Sequence, residues 1–368
     1  MTGGPPGPPV TRTTSTTTPR RHDEEEPHAR DTEGRPETMK FYARRIAFYA
    51  VTLWAAISLN FFIPRLLPGD PFSILMAKLQ RAGGIPAGTE NSIRLLLGAA
   101  EDQTLWEQYL TYWKNVLTGN LGVSVTNFPT PVTELIGDAL PWTLGLVGTA
   151  TIISFVLGIG LGALAGWKRG TWVDSLVPST TMLQSLPYFW VALVLIFVFA
   201  VSLQWFPIIG AYDVFHFNGP EWSWAFVGSV LYHAFLPAVT IVISSVGGWL
   251  LGMRNMMVST LSEDYVTTAE AKGLRPRRVF TTYAMRNAAL PSLAGFGVSL
   301  GFVVAGSLVM EQVFTYPGVG KLMITAVRNN DYALMQGVFL VITLAVLAAL
   351  FLMDLIYGFL DPRTRHHD

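Results

Sequence analysis

The chain has 368 residues, 51% of them hydrophobic and 14% charged, with a formal net charge of zero and no cysteine. Soluble domains carry roughly 25% charged residues, and here the apolar residues are gathered into blocks, which points to lipid rather than to a large soluble core. Zero net charge gives no pull toward nucleic acid or an acidic substrate, and the missing cysteine excludes disulfides and thiol chemistry.

Residues 1–38 are rich in Pro, Gly, Thr and mixed charge and hold few large apolar side chains. They bury too little surface to offset the entropy of ordering and are expected to form a disordered cytoplasmic tail. Their arginines lie too far from the first apolar run for a cleaved signal peptide.

Crossing the hydrocarbon layer takes about 20 apolar residues. Six runs qualify, at 46–63, 142–167, 176–205, 231–253, 288–310 and 333–360, and only the last contains a carboxylate, Asp354. Backbone groups in lipid must be satisfied internally, so each run is expected to be a helix and the fold all-α. Lys and Arg concentrate in the tail, at Lys168 and Arg169, between Arg254 and Arg286, and at Arg363 and Arg365. That asymmetry places both termini inside.

The segment 64–140 is then external and too long for a hairpin. Within it EDQTLWEQYLTYWKNVL is amphipathic, with Leu105, Tyr109, Tyr112 and Val116 on one helical face, before Gly119 and Gly122 break it. A folded extracellular scoop at the membrane surface is expected.

Several motifs are excluded as chemistry. GVGKL at 318–322 lacks the first glycine and the Ser or Thr of a phosphate-binding loop, whose places hold Thr315 and Leu322. GIGLGA at 158–163 has the letters of a dinucleotide fingerprint but no strand before it; Gly158, Gly162 and Gly166 repeat at the spacing that lets helices approach closely. The histidines show no metal-ligand spacing, and no G-x-S-x-G elbow occurs. No catalysis, metal or cofactor is expected.

The internal loop 258–288 has a design of its own. Ser262, Glu263 and Asp264 offer an N-cap and first-turn acids, Gly273 offers a C-terminal stop, and Pro276 opens a second helix carrying Arg277 and Arg278. A short helix over 264–272 is expected, thinned by Ala269 and Ala271 to seat in a groove. A helix projecting into water with no intramolecular core implies a partner protein; a basic loop touching anionic membrane lipid is the alternative.

TTAEAKGL with RNAALP at 286–291 resembles the EAA loop of ATP-binding-cassette importer permeases, and the interval from Gly273 to Pro291 resembles the dipeptide and oligopeptide branch. LPGDPF at 67–72, GNLGVS at 119–124, VFTYPGVGKL at 313–322 and LDPR at 360–363 are similar to that branch too, so the resemblance covers nearly all of residues 39–365. One departure is Glu270, where many relatives carry arginine. The resemblance implies a six-span permease subunit working with a second homologous permease, two ATPase subunits and an extracellular solute-binding protein. ATP hydrolysis belongs to those partners. Residues 265–278 would be the coupling helix, with Tyr265, Thr268, Ala269, Glu270, Ala271, Lys272, Gly273 and Arg277 facing the ATPases. The branch points to peptides, with oligosaccharides or nickel as alternatives; a stand-alone ion-coupled carrier would need mid-span carboxylates.

Polar groups within spans are candidates for a pathway because lipid makes them costly. Gln184 beside Pro187, and Ser244 and Ser245 beside Gly247 and Gly248, interrupt two spans. Glu311 and Gln312 sit at the outer end of span five, where an outer gate or a receptor-docking surface is expected. Asn60 is a further candidate, while helix-end snorkelling or a contact with a partner is expected to account for Asp354.

Overall fold

The apolar runs fold as helices, as backbone satisfaction in lipid requires. The computed structural model describes residue 4 and residues 34–66, 71–81 and 104–360. Among the described residues there is no strand, only one isolated antiparallel bridge from Val123 to Pro131. Most of the expected tail, the LPGD of the 67–72 motif and the DPR of the 360–363 motif lie outside them. Two compact units meet at Arg45 and Ile46; the first contributes the opening turns of α1, and the rest of α1 and all later helices belong to the second.

In chain order the helices are α1 (Gly34–Arg65), α2 (Pro71–Arg81), α3 (Leu105–Thr118), α4 (Val132–Trp167), α5 (Trp172–Gln184) and α6 (Tyr188–Ser202). Then come α7 (Trp224–Thr260), α8 (Asp264–Ala271), α9 (276–288), α10 (Leu290–Val303), α11 (Leu308–Val313), α12 (Val319–Arg328) and α13 (Tyr332–Leu360).

Among the described residues four uninterrupted helices are long and apolar enough to span, Arg44–Arg65, Val132–Trp167, Trp224–Thr260 and Tyr332–Asp354. The expected span at 176–205 is instead two helices, α5 and α6, bent by 97°. Pro187 has no amide hydrogen and disfavours helical geometry at Leu186, so α6 starts anew from Pro187. The run at 288–310 also breaks. Helix α10 stops at Val303, and its 14 residues reach only roughly 21 Å at 1.5 Å per residue. Gly306, at φ +67, turns the chain into α11.

The most extensive helix contact among the described residues is α4 against α7. A Cβ at Gly158 would lie 2.4 Å from Trp249 Cβ, at Gly162 2.4 Å from Leu250 O, and at Gly166 2.6 Å from Met257 Cβ. The four-residue glycine repeat is therefore a packing seam, as its spacing predicts. Around it Ile159, Ala163, Met253, Met257, Ala284 and Ala288 form a core joining α4, α7 and α9.

Helix α3 forms where the amphipathic run predicts. Thr104 and Glu107 make a reciprocal capping box, and Gly119 at φ +73 ends the helix. Tyr109, Tyr112 and Val116 are half-buried on one face, but Leu105 is 65% exposed. Asn60 Nδ2 of α1 donates to Tyr112 Oη at 3.1 Å and to the Gln336 carbonyl at 2.7 Å. Burial pushes the Tyr112 hydroxyl up to about 12, so it stays protonated at neutral pH. Ser124 of GNLGVS donates to the buried Asp331 at 2.5 Å, and Asp331 caps α13 by accepting from Leu334 N. Asp354 accepts from Tyr49 Oη at 2.7 Å, an ordinary helix-to-helix contact within the chain.

Candidate coupling loop and pathway residues

Helix α8 is short, eight residues, and its N-cap is Glu263 without a side-chain bond; Ser262 Oγ turns back to the Ser259 carbonyl instead. Its C-terminus closes as a Schellman motif. Gly273 N–H donates to the Glu270 carbonyl at 2.8 Å, Leu274 N–H reaches the Ala269 carbonyl at 3.4 Å, and Gly273 sits at φ +70. Pro276 then opens α9.

The expectation of a helix without its own core is corrected here. Val266, Ala269 and Val279 are buried together, with Trp167, Leu261, Leu274 and Tyr283 packed on them. Ala269 is 2% exposed, so it belongs to this local core and not to an outward seat. The i, i+3 pair Val266–Ala269, answered by Val279 on the returning helix, was the signal for it. The other site residues of this loop, Tyr265, Thr268, Glu270, Ala271, Lys272, Gly273 and Arg277, are all exposed.

Gln184, Ser244 and Ser245 come together. They line one cleft of about 260 Å³ with Tyr188, Ser307 and Met310, beside the α5–α6 bend. Gly247 and Gly248 permit it: a Cβ at 247 would stand 2.7 Å from the Thr180 carbonyl, and at 248 3.0 Å from Gln184 Nε2. Ser244 Oγ is buried with no hydrogen-bond partner among the described residues. The lining offers hydroxyls and an amide and no charge.

Glu311 is not at a surface. It is fully buried, and its carboxylate is held inside the chain. Thr143 Oγ1 donates to Oε1 at 2.8 Å, while the Gly320 and Lys321 amides donate to Oε2 at 2.7 and 3.1 Å. Thr143 Oγ1 also accepts from Val319 N at 2.8 Å. A Cβ at Gly318 would lie 2.4 Å from the Glu311 carboxyl carbon. The GVGK turn thus uses the open amides at the start of α12 to hold an anion, as helix N-termini do; the anion is the chain's own. Gln312, next to it, is half-buried. A docking surface centred on Glu311 is excluded by its burial. Thr143, Gly318 and Gly320 escaped the sequence reading, because rejecting a phosphate loop left GVGK without an occupant.

Among the described residues no group of three or more His, Cys, Asp or Glu could hold a metal. An all-helical chain with several membrane-length helices, glycine seams between them and an uncharged polar cleft is that of a membrane transport component. Residues 158–366 match the family described as "Binding-protein-dependent transport system inner membrane component". The chain belongs to that family, the permease subunits of ATP-binding-cassette importers, and is a multi-pass inner-membrane component of a bacterial transporter. It is 34% identical over 341 residues to the di/tripeptide transport system permease protein DppB of Pseudomonas aeruginosa, covering 89% of this chain and 99% of that one. It is 32% identical over 344 residues to the dipeptide transport system permease protein DppB of Escherichia coli, covering 89% and 99%. The oligopeptide transport system permease protein AppB of Bacillus subtilis is 31% identical over 331 residues, covering 89% and 100%.

Proposed function

We propose that this chain is the translocation subunit of an ATP-driven, binding-protein-dependent peptide importer. It would assemble in lipid with a second homologous permease, two ATPase subunits and an extracellular solute-binding protein. The six spans are α1, α4, the bent pair α5–α6, α7, α10 with the chain to Met310, and α13. Both termini lie in the cytoplasm, with α3 outside. Family membership and the relatives' names as dipeptide and oligopeptide permeases support the reading, ahead of oligosaccharides, nickel or a stand-alone carrier.

The observation that carries the mechanism is the α8–Gly273–α9 turn. A helix braced on its own small core moves as one body, so force applied to its exposed residues passes to α9 and on through Ala284 and Ala288 to α4 and α7. Closure of the ATPases against Tyr265, Thr268, Glu270, Ala271, Lys272, Gly273 and Arg277 would rock those helices between inward- and outward-facing states. The cleft of Gln184, Ser244 and Ser245 then offers amide and hydroxyl partners to a peptide backbone on its way through.

The test is reconstitution of the four-subunit complex with its binding protein in liposomes. ATP-dependent peptide uptake is expected, with none from this chain alone under an ion gradient. Gradient-driven uptake by the single chain would overturn the importer reading.

A further inference from the structure

A second cleft, of about 250 Å³, lies where the start of α4 faces α12 and adjoins the Glu311 turn. On α4, Leu135, Asp138 and Trp142 are spaced i, i+3, i+7 and share one face; on α12, Lys321 and Leu322 face them beside Pro317. Apart from the Thr325 hydroxyl the rest of the wall is apolar, and the cleft has one charge of each sign.

Those charges are not paired. Among the described residues Asp138 accepts no hydrogen bond and meets no cation, and Lys321 Nζ reaches only the Thr315 carbonyl, at 3.4 Å. Their backbones are nonetheless fixed: Asp138 rides on α4, and the Lys321 amide is bound to Glu311. Trp142 is also held, stacked on Tyr212 with centroids 5.8 Å apart and edge-on to Tyr316 at 5.9 Å. An anion and a cation kept apart over an aromatic wall complement a small zwitterion. A free short peptide presents an ammonium, a carboxylate and apolar groups between them, and charge-assisted hydrogen bonds to each end are the strong ones.

We infer that this cleft is an outer subsite for short unblocked peptides, with Asp138 receiving the amino terminus, Lys321 the carboxyl terminus and Trp142 the chain between. The inference rests on the peptide reading and goes past it, because it assigns recognition of the free termini to the permease as well as to a binding protein.

The experiment measures binding of trialanine, N-acetyl-trialanine and trialanine amide to the purified permease–ATPase complex by calorimetry, without the binding protein, alongside uptake in liposomes. In Asp138→Asn, trialanine and its amide should each bind about fivefold to tenfold more weakly, with the acetylated peptide unchanged. In Lys321→Gln, trialanine and the acetylated peptide should weaken while the amide is unchanged, and Lys321→Arg should remain near native. Equal loss for all three peptides, no loss for any, or no binding of trialanine by the native complex would overturn the subsite. Failure of the native complex to take up any peptide, with its binding protein present, would overturn the peptide reading itself.

Discussion

Gly273 holds a left-handed backbone at φ +70, yet a Cβ there would meet nothing within 4 Å. The cost of substitution is therefore conformational, roughly 1–2 kcal/mol for a residue forced to that geometry, and greatest for a β-branched one. Gly273→Val is expected to redirect α9 and lower ATP-coupled uptake, while Gly273→Asn, which tolerates positive φ, keeps most of it. Ala269→Asp should act differently, because its carboxylate would enter the Val266–Val279 core. A penalty on the order of 3 kcal/mol for an unpaired buried charge exceeds what so small a core can absorb. Faster hydrogen exchange across α8 and loss of ATPase co-purification should follow, whereas Thr268→Asp, on the exposed side, should leave exchange unchanged. At Gly318 the limit is space, since a methyl group would stand 2.4 Å from the Glu311 carboxyl carbon. Gly318→Ala should lower the thermal midpoint of the purified complex by breaking the bonds to Gly320 and Lys321, a loss of about 2 kcal/mol or more.

At the scale of elements, the α4–α7 seam has little room for larger side chains. Gly162→Val would drive a branched side chain into the Leu250 carbonyl, 2.4 Å from the Cβ position, and should abolish stable assembly; Gly160→Val, with nothing within 4 Å, should be accepted. Gel filtration of the two variants in detergent checks this. The seam was legible in the sequence because a four-residue glycine repeat has one structural use in an apolar helix. So were α3, from its amphipathic face and the glycines that end it, and the α8–Gly273–Pro276 turn. The α5–α6 bend was marked by Pro187, but a continuous apolar run outweighed it in a reading based on hydropathy. The break after Val303 was hidden for the same reason. Glu311 was found as a polar residue at a span end, expected at a gate or a docking surface, but its burial was hidden because its partners are backbone amides and a threonine far away in the chain. Backbone donors leave no letter in a sequence; only the glycines that make room for the carboxylate do.

For the whole molecule, orientation is expected to follow from charge. The native chain has no cysteine, so single cysteines report position without background. Lys168→Cys and Arg275→Cys are expected to react with a membrane-impermeant maleimide only in inverted vesicles, and Lys114→Cys and Trp222→Cys only in intact cells. Labelling of position 114 from the inside alone would reverse the topology. The bond between Thr143 and Glu311 joins residues 168 apart in the chain. During synthesis at roughly 5–20 residues per second, Thr143 therefore emerges about 8–34 s before the carboxylate it binds. Throughout that interval the Thr143 hydroxyl has neither of its native partners, Glu311 and the Val319 amide, although Trp142 and Leu146 beside it can already meet Tyr212 and Ala211. A nascent chain stopped before residue 311 should therefore remain open to protease around Thr143, while the α4–α7 seam, complete by residue 260, is already closed.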